Sequence, residues 1–217
     1  MLTTLLHQGL PQMAQGLLVT VEMGLQASVV GIVIGVLVGV GLLYLPAYVG
    51  WIFRVYVDVV RGLPPLVLIF SAYYLIPVSG INVSAFYSGV LALAFFSGAH
   101  FAEVVRGGIN SIPQTQTQAA KAIGLRFWPL MRWILLPQAI RRMVPPAINA
   151  TVEVIKGTSL VSLIGVVELV LATQQFTGST FIVIPAYGLA ALMYFAVNFS
   201  ISRLGGVFEK RYAYLQY

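Results

Sequence analysis

Long stretches without a charged residue dominate the chain. No Asp, Glu, Lys or Arg occurs over residues 23–53, 62–102 or 169–202. A helix crosses a hydrocarbon core of about 30 Å with roughly 20 apolar residues. The second stretch is too long for one crossing and holds a cluster of turn residues at 77–82. The pattern predicts five membrane-spanning helices, at about 17–44, 52–76, 84–107, 142–171 and 180–204.

The composition excludes a soluble domain. Hydrophobic residues make up 59% of the 217 residues and charged residues only 8%, against about 25% charged in a typical soluble domain. We therefore expect an all-α, polytopic membrane protein with a single domain over residues 1–217. The chain has no cysteine, and its two histidines, His7 and His100, belong to no dense ligand cluster. We expect neither a disulfide framework nor a metal site.

The basic residues are distributed unevenly between the two sides of the predicted bundle. Of the twelve Lys and Arg residues, Lys156 lies within a span and the other eleven lie on one side. These eleven are Arg54, Arg61, Arg106, Lys121, Arg126, Arg132, Arg141, Arg142, Arg203, Lys210 and Arg211. Basic residues are retained in the cytoplasm, so we expect the N-terminus outside and the C-terminus in the cytoplasm. The net charge of +6 then indicates membrane orientation and not nucleic-acid binding.

Three glycines of the first span recur every four residues. Gly31, Gly35 and Gly39 share one helical face, and small residues at this spacing allow close helix packing in lipid. The spacing predicts a packing seam against a partner helix. The alternative is that glycine is simply common in membrane helices.

A segment of about 108–141 joins the third and fourth spans and contains a predicted short helix. Pro113 suits its first position, Ser111 is a candidate cap and Gly124 a candidate end. One face carries Gln114, Gln118 and Lys121. The opposite face is predicted to carry small and apolar residues, namely Ala119, Ala120, Ile123, Gly124 and Phe127. Such a helix can dock in a groove of another protein or lie on its own membrane domain, and periodicity does not decide between them.

The second predicted span contains a helix-breaking pair. Pro64 and Pro65 lack backbone donors and should kink or restart the helix, and Arg61 precedes them at a spacing that allows an ion pair with Asp58. The functional interpretation is a gating hinge at Arg61, Pro64 and Pro65. The alternative is a kink that only improves packing.

The fourth predicted span carries charges that membrane insertion disfavours. Glu153 and Lys156 lie three residues apart, so they can pair with each other or face a substrate pathway. Gly157, Thr158 and Ser159 follow, where a loosened helix can present backbone groups and hydroxyls to a zwitterionic ligand. Other acids in or near spans have candidate roles of their own: Glu22 in contact with an external protein or a cation, Glu103 in a pair with Arg106 or Gln138, and Glu168 in an external gate.

The cytoplasmic segment resembles a known family motif. Gln118-Ala119-Ala120, then Gly124, then Ile134, Leu136 and Pro137 are similar to the "EAA, three residues, G, nine residues, I-x-L-P" loop of ABC-importer permeases, with Gln118 in place of glutamate. Four further segments, at 61–64, 102–109, 136–139 and 156–160, resemble the polar-amino-acid permeases of that group.

The resemblance implies a permease subunit with a type I ABC importer fold in a bacterial cytoplasmic membrane. Its partners would be a second permease copy or a paralogue, a cytoplasmic ABC ATPase dimer and an external solute-binding protein that delivers a polar amino acid. The residues implied in ATPase coupling are Gln118, Ala119, Ala120, Gly124, Leu136 and Pro137. ATP and Mg²⁺ would bind to the ATPase, because this chain has no G-x-x-x-x-G-K-[ST] loop. The chain itself is expected to bind no cofactor and to have no catalytic residue.

Two other classes share part of this pattern. An ion-coupled secondary transporter or channel subunit would have the same composition and topology. An intramembrane hydrolase would need a serine and a histidine on separate spans, whereas Ser97 and His100 lie on one.

Overall fold

The computed structural model describes residues 2–212, with side chains for residues 3–207, and its described part is built from helices. The C-terminal side chains of Lys210 and Arg211 therefore lie outside the described part. We number eight helices: α1 (Leu10–Tyr44), α2 (Ala47–Gly62), α3 (Pro65–Leu75), α4 (Ala85–Asn110), α5 (Gln114–Ala122), α6 (Leu136–Gly157), α7 (Leu169–Thr180) and α8 (Val183–Tyr212). Leu2–Thr4 and the π-helical turn Leu5–Gly9 precede α1, and Phe127–Leu130 and the π-helical turn Met131–Leu135 precede α6. Two 3₁₀ segments, Pro77–Ser79 and Thr158–Ile164, follow α3 and α6.

Four stretches are long and apolar enough to cross a membrane: Leu5–Tyr44, Ala85–Asn110, Phe127–Ile164 and Val183–Val207. The bent pair α2–α3 makes a fifth if it is counted as one span. The first span is longer than predicted, because the helix extends toward the N-terminus through Gln12 and Gln15 without a break.

α1 is the central helix of the bundle. A Cβ placed on Gly31 would lie 2.9 Å from the Ser97 Cβ, and one placed on Gly39 would lie 2.7 Å from the Ala102 carbonyl oxygen. The predicted glycine seam is confirmed, and its partner is α4. Contacts advance together along both helices, so α1 and α4 run parallel.

The second predicted span is two helices and not one. α2 ends at Gly62, and α3 begins at Pro65 at an angle of 108° to it. Leu63 is extended, with φ −95° and ψ 141°, as expected for a residue before proline. Pro64 and Pro65 therefore restart the helix as predicted, but the change of direction is far larger than a kink.

The fourth predicted span is also interrupted. α6 ends at Gly157, the chain tightens into the 3₁₀ segment, and Gly165 turns it at φ +84°. A new helix, α7, then starts at Leu169. The prediction of one helix over 142–171 was wrong here, because apolar residues continue through the 3₁₀ segment and hide the break from hydropathy.

Candidate functional site

A polar stripe runs along one face of α6. Arg142, Pro146, Asn149, Glu153 and Lys156 follow one another at intervals of four, three, four and three residues, which places them on one side of a helix. All five are exposed in the single chain. Exposed charges on a membrane helix indicate a surface that faces a cavity or another subunit and not lipid.

The stripe borders two adjoining cavities. The larger one, of about 490 Å³, is lined by Arg142, Pro146, Asn149 and Glu153 and by residues of α2 and α4 that include Arg61, His100 and Glu103. The smaller one, of about 210 Å³, is lined by Pro65, Leu93, Phe96, Glu153, Lys156 and Gly157. Glu153 lines both. The structure thus brings two residues of the predicted hinge, Arg61 and Pro65, and three of the five predicted pathway residues to one cleft.

Glu153 and Lys156 do not pair. Among the described side chains, Glu103 forms ion pairs with Arg54 and Arg106, whereas Glu153 and Lys156 form none. An internal ion pair on α6 is therefore excluded in this conformation, and so is the predicted pair of Asp58 and Arg61. Two opposite charges lie free on one helical turn beside an open cavity.

The hydroxyl groups of Thr158 and Ser159 already donate hydrogen bonds to the backbone. Thr158 is buried, and its Oγ1 donates to the Ile155 carbonyl at 2.7 Å. Ser159 Oγ donates to the Lys156 carbonyl at 2.8 Å. The change from α to 3₁₀ helix is thus held by side-chain hydrogen bonds to backbone, and neither hydroxyl proton points into the cleft.

Glu103 anchors a small charged network at the cleft wall. Arg54 Nη1 lies 2.8 Å from Glu103 Oε1, and Arg106 Nη2 lies 2.6 Å from Glu103 Oε2. The pair with Arg106 was predicted from the i, i+3 spacing, whereas Gln138 bonds to Gln116 instead. Arg54 was missed, because it comes from α2, 49 residues earlier.

Glu168 is fully buried and ties three helices together. Its side chain accepts from the Leu171 N–H at the start of α7 and from the Tyr194 hydroxyl of α8, both at 2.9 Å. Thr20 Oγ1 of α1 lies 3.5 Å away and also accepts from the Leu169 N–H. In this conformation Glu168 acts as a helix cap inside the bundle.

The short helix α5 ends as predicted. Gly124 has φ +80°, its N–H donates to the Lys121 carbonyl and the Leu125 N–H donates to the Ala120 carbonyl. This is the Schellman pattern, which needs a left-handed residue. The start differs from the prediction: Ser111 Oγ donates back to the Gly108 carbonyl and does not cap α5.

The predicted apolar face of α5 is divided between two surroundings. Ala120 is 2% exposed and packs in a cluster with Leu130, Leu135 and Ala139, so it attaches the helix to its own domain. Ala119, Ile123 and Gly124 are exposed, Ile123 by 77%. On another side, Gln114, Gln118 and Lys121 line a groove of about 810 Å³ together with Tyr44 and Phe127. Leu136 and Pro137 lie exposed at the start of α6 and are not members of the Ala120 cluster.

The serine and histidine of the hydrolase hypothesis do not meet. Ser97 Oγ donates to the Ala27 and Ala94 carbonyls, and His100 Nδ1 lies 3.0 Å from the Phe96 carbonyl oxygen. Within the described residues, no three His, Cys, Asp or Glu side chains are grouped as metal ligands.

Comparison with known proteins gives the family. The family described as "Binding-protein-dependent transport system inner membrane component" matches residues 31–214. The chain is 32% identical over 212 residues to a probable amino-acid ABC transporter permease protein, YckA, of Bacillus subtilis, covering 98% of this chain and 94% of the relative. It is 39% identical over 153 residues to the probable glutamine ABC transporter permease protein GlnP of the same organism, covering 68% and 69%.

A solved structure agrees with both. The crystal structure of an amino acid ABC transporter with histidines superposes with a TM-score of 0.88 at 29% identity, covering 94% of this chain and 95% of that one. The matching family and relatives are transport components. The chain belongs to the family of binding-protein-dependent transport system inner membrane components.

Proposed function

We propose that the chain is the permease subunit of an ATP-driven importer for a polar α-amino acid. The observation that carries the proposal is the unpaired Glu153 and Lys156 on one turn of α6. Names of relatives that include amino acids and glutamine support the same substrate class.

The chemistry of the pair suits a zwitterion. Side chains three residues apart on a helix have Cβ atoms about 5–6 Å apart. A carboxylate at one position can accept from an α-ammonium group, and an ammonium at the other can donate to an α-carboxylate. Two charges left unpaired in a membrane are costly, so a ligand that neutralises both at once is favoured over one that carries a single charge.

The remaining subunits follow from the surfaces that this chain leaves open. The exposed residues Ala119, Ile123 and Gly124 and the neighbouring Gln118 would contact a cytoplasmic ABC ATPase dimer, with Leu136 and Pro137 framing the contact. Ala120, buried in its cluster, would attach α5 to the rest of the permease. ATP and Mg²⁺ would bind to the ATPase, and this chain would bind no cofactor. A second copy or a paralogue would close the α6 cleft.

The same proposal sets the orientation. The chain would lie in the bacterial cytoplasmic (inner) membrane with its N-terminus outside, where a solute-binding protein delivers the amino acid. ATP-driven closure of the ATPase dimer would move α5 and, through the Ala120 cluster, the start of α6. The break at Pro64 and Pro65 would let α3 move separately from α2.

The test is ATP-driven uptake of labelled L-glutamine by the whole importer in proteoliposomes. We expect Glu153→Gln and Lys156→Met each to lower the uptake rate more than tenfold, because each removes one half of the zwitterion contact. Basal ATP hydrolysis should remain within about twofold, since neither residue touches α5.

Asp58→Asn is the matched control. Asp58 is exposed on α2 and lines neither cavity. It should keep wild-type uptake. Wild-type uptake in both α6 variants would remove the substrate role from this pair.

A further inference from the structure

An apolar patch stands at the end of the bundle where α7 turns into α8. Its members are Phe181, Val183, Ile184 and Tyr187, which we call the outer patch. Phe181 and Ile184 are each 86% exposed, more than any other large hydrophobic residue of the described chain, and Val183 and Tyr187 are 48% and 42% exposed. Buried Leu5, Phe176 and Ala186 form the cluster beneath it.

The outer patch lies beyond the hydrocarbon core. The helix from Leu5 to Tyr44 has 40 residues, about 60 Å at 1.5 Å per residue. Val40 and Leu43 pack against the cytoplasmic cluster around Ala120, so the inner boundary lies near residue 40. An untilted helix crosses about 30 Å with roughly 20 residues, so its outer boundary would lie near residue 20. At a tilt of 40° the crossing takes about 26 residues, and the boundary would lie near residue 14.

The outer patch lies level with residues 5–9, which precede this outer boundary in the chain. A Cβ on Gly9 would lie 3.0 Å from Phe176 Cζ, and Leu5 packs with Ala186. The turn that carries Phe181 therefore projects past the lipid tails. Non-helical backbone is also not tolerated in contact with lipid tails. Lipid tails therefore do not account for the exposure of these side chains.

The backbone at Phe181 is strained. Its φ is +58°, in the left-handed region that a bulky residue rarely adopts. Glycine would take this conformation at no steric cost. An aromatic side chain held there in full exposure indicates that the side chain itself has a use.

The surroundings of the patch are uncharged. No Asp, Glu, Lys or Arg occurs over residues 1–21 or 169–202. Resting on the proposed function, we infer that the outer patch is a docking surface for the external solute-binding protein and that the contact is apolar and uncharged on this side. The partner's matching surface must then also be apolar, because a charge buried against the patch would be left unpaired.

This chemistry predicts an unusual salt response. Docking through charge pairs weakens steeply as salt screens them. Contact between apolar surfaces depends on buried area. The concentration of binding protein that half-maximally stimulates ATP hydrolysis should therefore change less than about twofold between 50 and 300 mM NaCl, across which the Debye length falls from about 14 to about 6 Å.

Phe181→Gly tests the patch without a folding penalty, because glycine relieves the left-handed backbone. In the whole importer in nanodiscs, with its purified solute-binding protein loaded with L-glutamine, we expect the half-maximal concentration to rise at least fivefold. Ile184→Ser should act in the same direction. Phe195→Ala, which shortens a 63% exposed side chain further along α8, is the control and should leave it unchanged.

The outcomes separate this inference from the proposed function. The docking surface is overturned if the binding protein stimulates ATP hydrolysis of the wild type and of Phe181→Gly at the same half-maximal concentration. A steep salt dependence of that concentration in the wild type overturns it too. Neither result contradicts the proposed importer. A loss of permease dimer in the variants would also overturn the docking surface, since the patch would then contact a second copy. No stimulation of the wild type at all would contradict the proposed function itself.

Discussion

At the scale of single residues, glycines decide how closely the helices of this bundle approach α1. Gly16 faces Ala172 and the Glu168 carbonyl of the α7 start, and Gly24 faces Ile155 of α6. Gly31, Gly35 and Gly39 then face α4. One helix thus meets three partners through residues without a side chain, and close van der Waals packing of this kind is a main source of helix association in lipid.

Replacing one of these glycines should separate two helices. A Cβ on Gly35 would lie 2.9 Å from the Ala102 backbone nitrogen, which cannot move aside as a side-chain end can. We expect Gly35→Val to destabilise the protein by about 1–3 kcal/mol and to lower its Tm in detergent by about 2–12 °C. Gly50→Ala, inside α2 where nothing lies within 4 Å, should leave the Tm unchanged or raise it, because alanine favours a helix more than glycine does. Equal shifts in the two variants would contradict the seam.

The sequence predicts this seam only in part. Gly31, Gly35 and Gly39 are recognisable because a regular four-residue spacing defines a face. Gly16 and Gly24 do not continue that spacing, and their partners lie more than 100 residues away in sequence. The partner of a glycine is set by tertiary packing, which local periodicity does not contain.

At the scale of elements, α5 shows what a sequence pattern can and cannot predict. Its end at Gly124 follows from local backbone chemistry and was predicted correctly. Which residues of its apolar face are exposed depends on the cluster that Ala120 joins with α4 and α6, and that was not predictable. The same holds for the α2–α3 pair, where the two prolines predict the break but not its angle of 108°.

The exposed part of α5 can be tested without disturbing its backbone. A change at Gly124 would disrupt the left-handed turn at φ +80°, whereas Ile123 has a negative φ of −89° and is 77% exposed. We expect Ile123→Asp to lower ATPase co-purification and ATP-driven uptake more than tenfold, because an aspartate cannot be buried in an apolar contact.

The matched control for Ile123→Asp makes the same change at another exposed isoleucine. Ile81 is 60% exposed before the start of α4, whereas α5 follows the other end of that helix, so Ile81→Asp should keep ATPase co-purification within about twofold of wild type. If Ile123→Asp retains the ATPase in full, α5 is a surface helix of the membrane domain and not a coupling element.

At the scale of the whole molecule, three surfaces of the single chain are exposed and available to partner proteins. The α6 stripe is exposed beside a cleft whose other walls come from α2, α3 and α4, the exposed face of α5 is turned away from its own domain, and the outer patch projects past the lipid tails. The position of Glu153 and Lys156 beside a cavity could be predicted, because charge in a membrane helix is conspicuous. Arg54 and the inward use of Thr158 could not, because they depend on contacts between distant segments.

In the proposed importer, ATP hydrolysed by a separate subunit drives uptake through this chain. The decisive experiment follows labelled L-glutamine into proteoliposomes that contain the permease, its ATPase and its binding protein, with ATP supplied on the ATPase side and ion gradients collapsed by ionophores. We predict accumulation that requires ATP and binding protein and is unaffected by the ionophores. Uptake that persists without ATP and disappears when the ion gradients are collapsed would contradict an ATP-driven mechanism and favour an ion-coupled transporter.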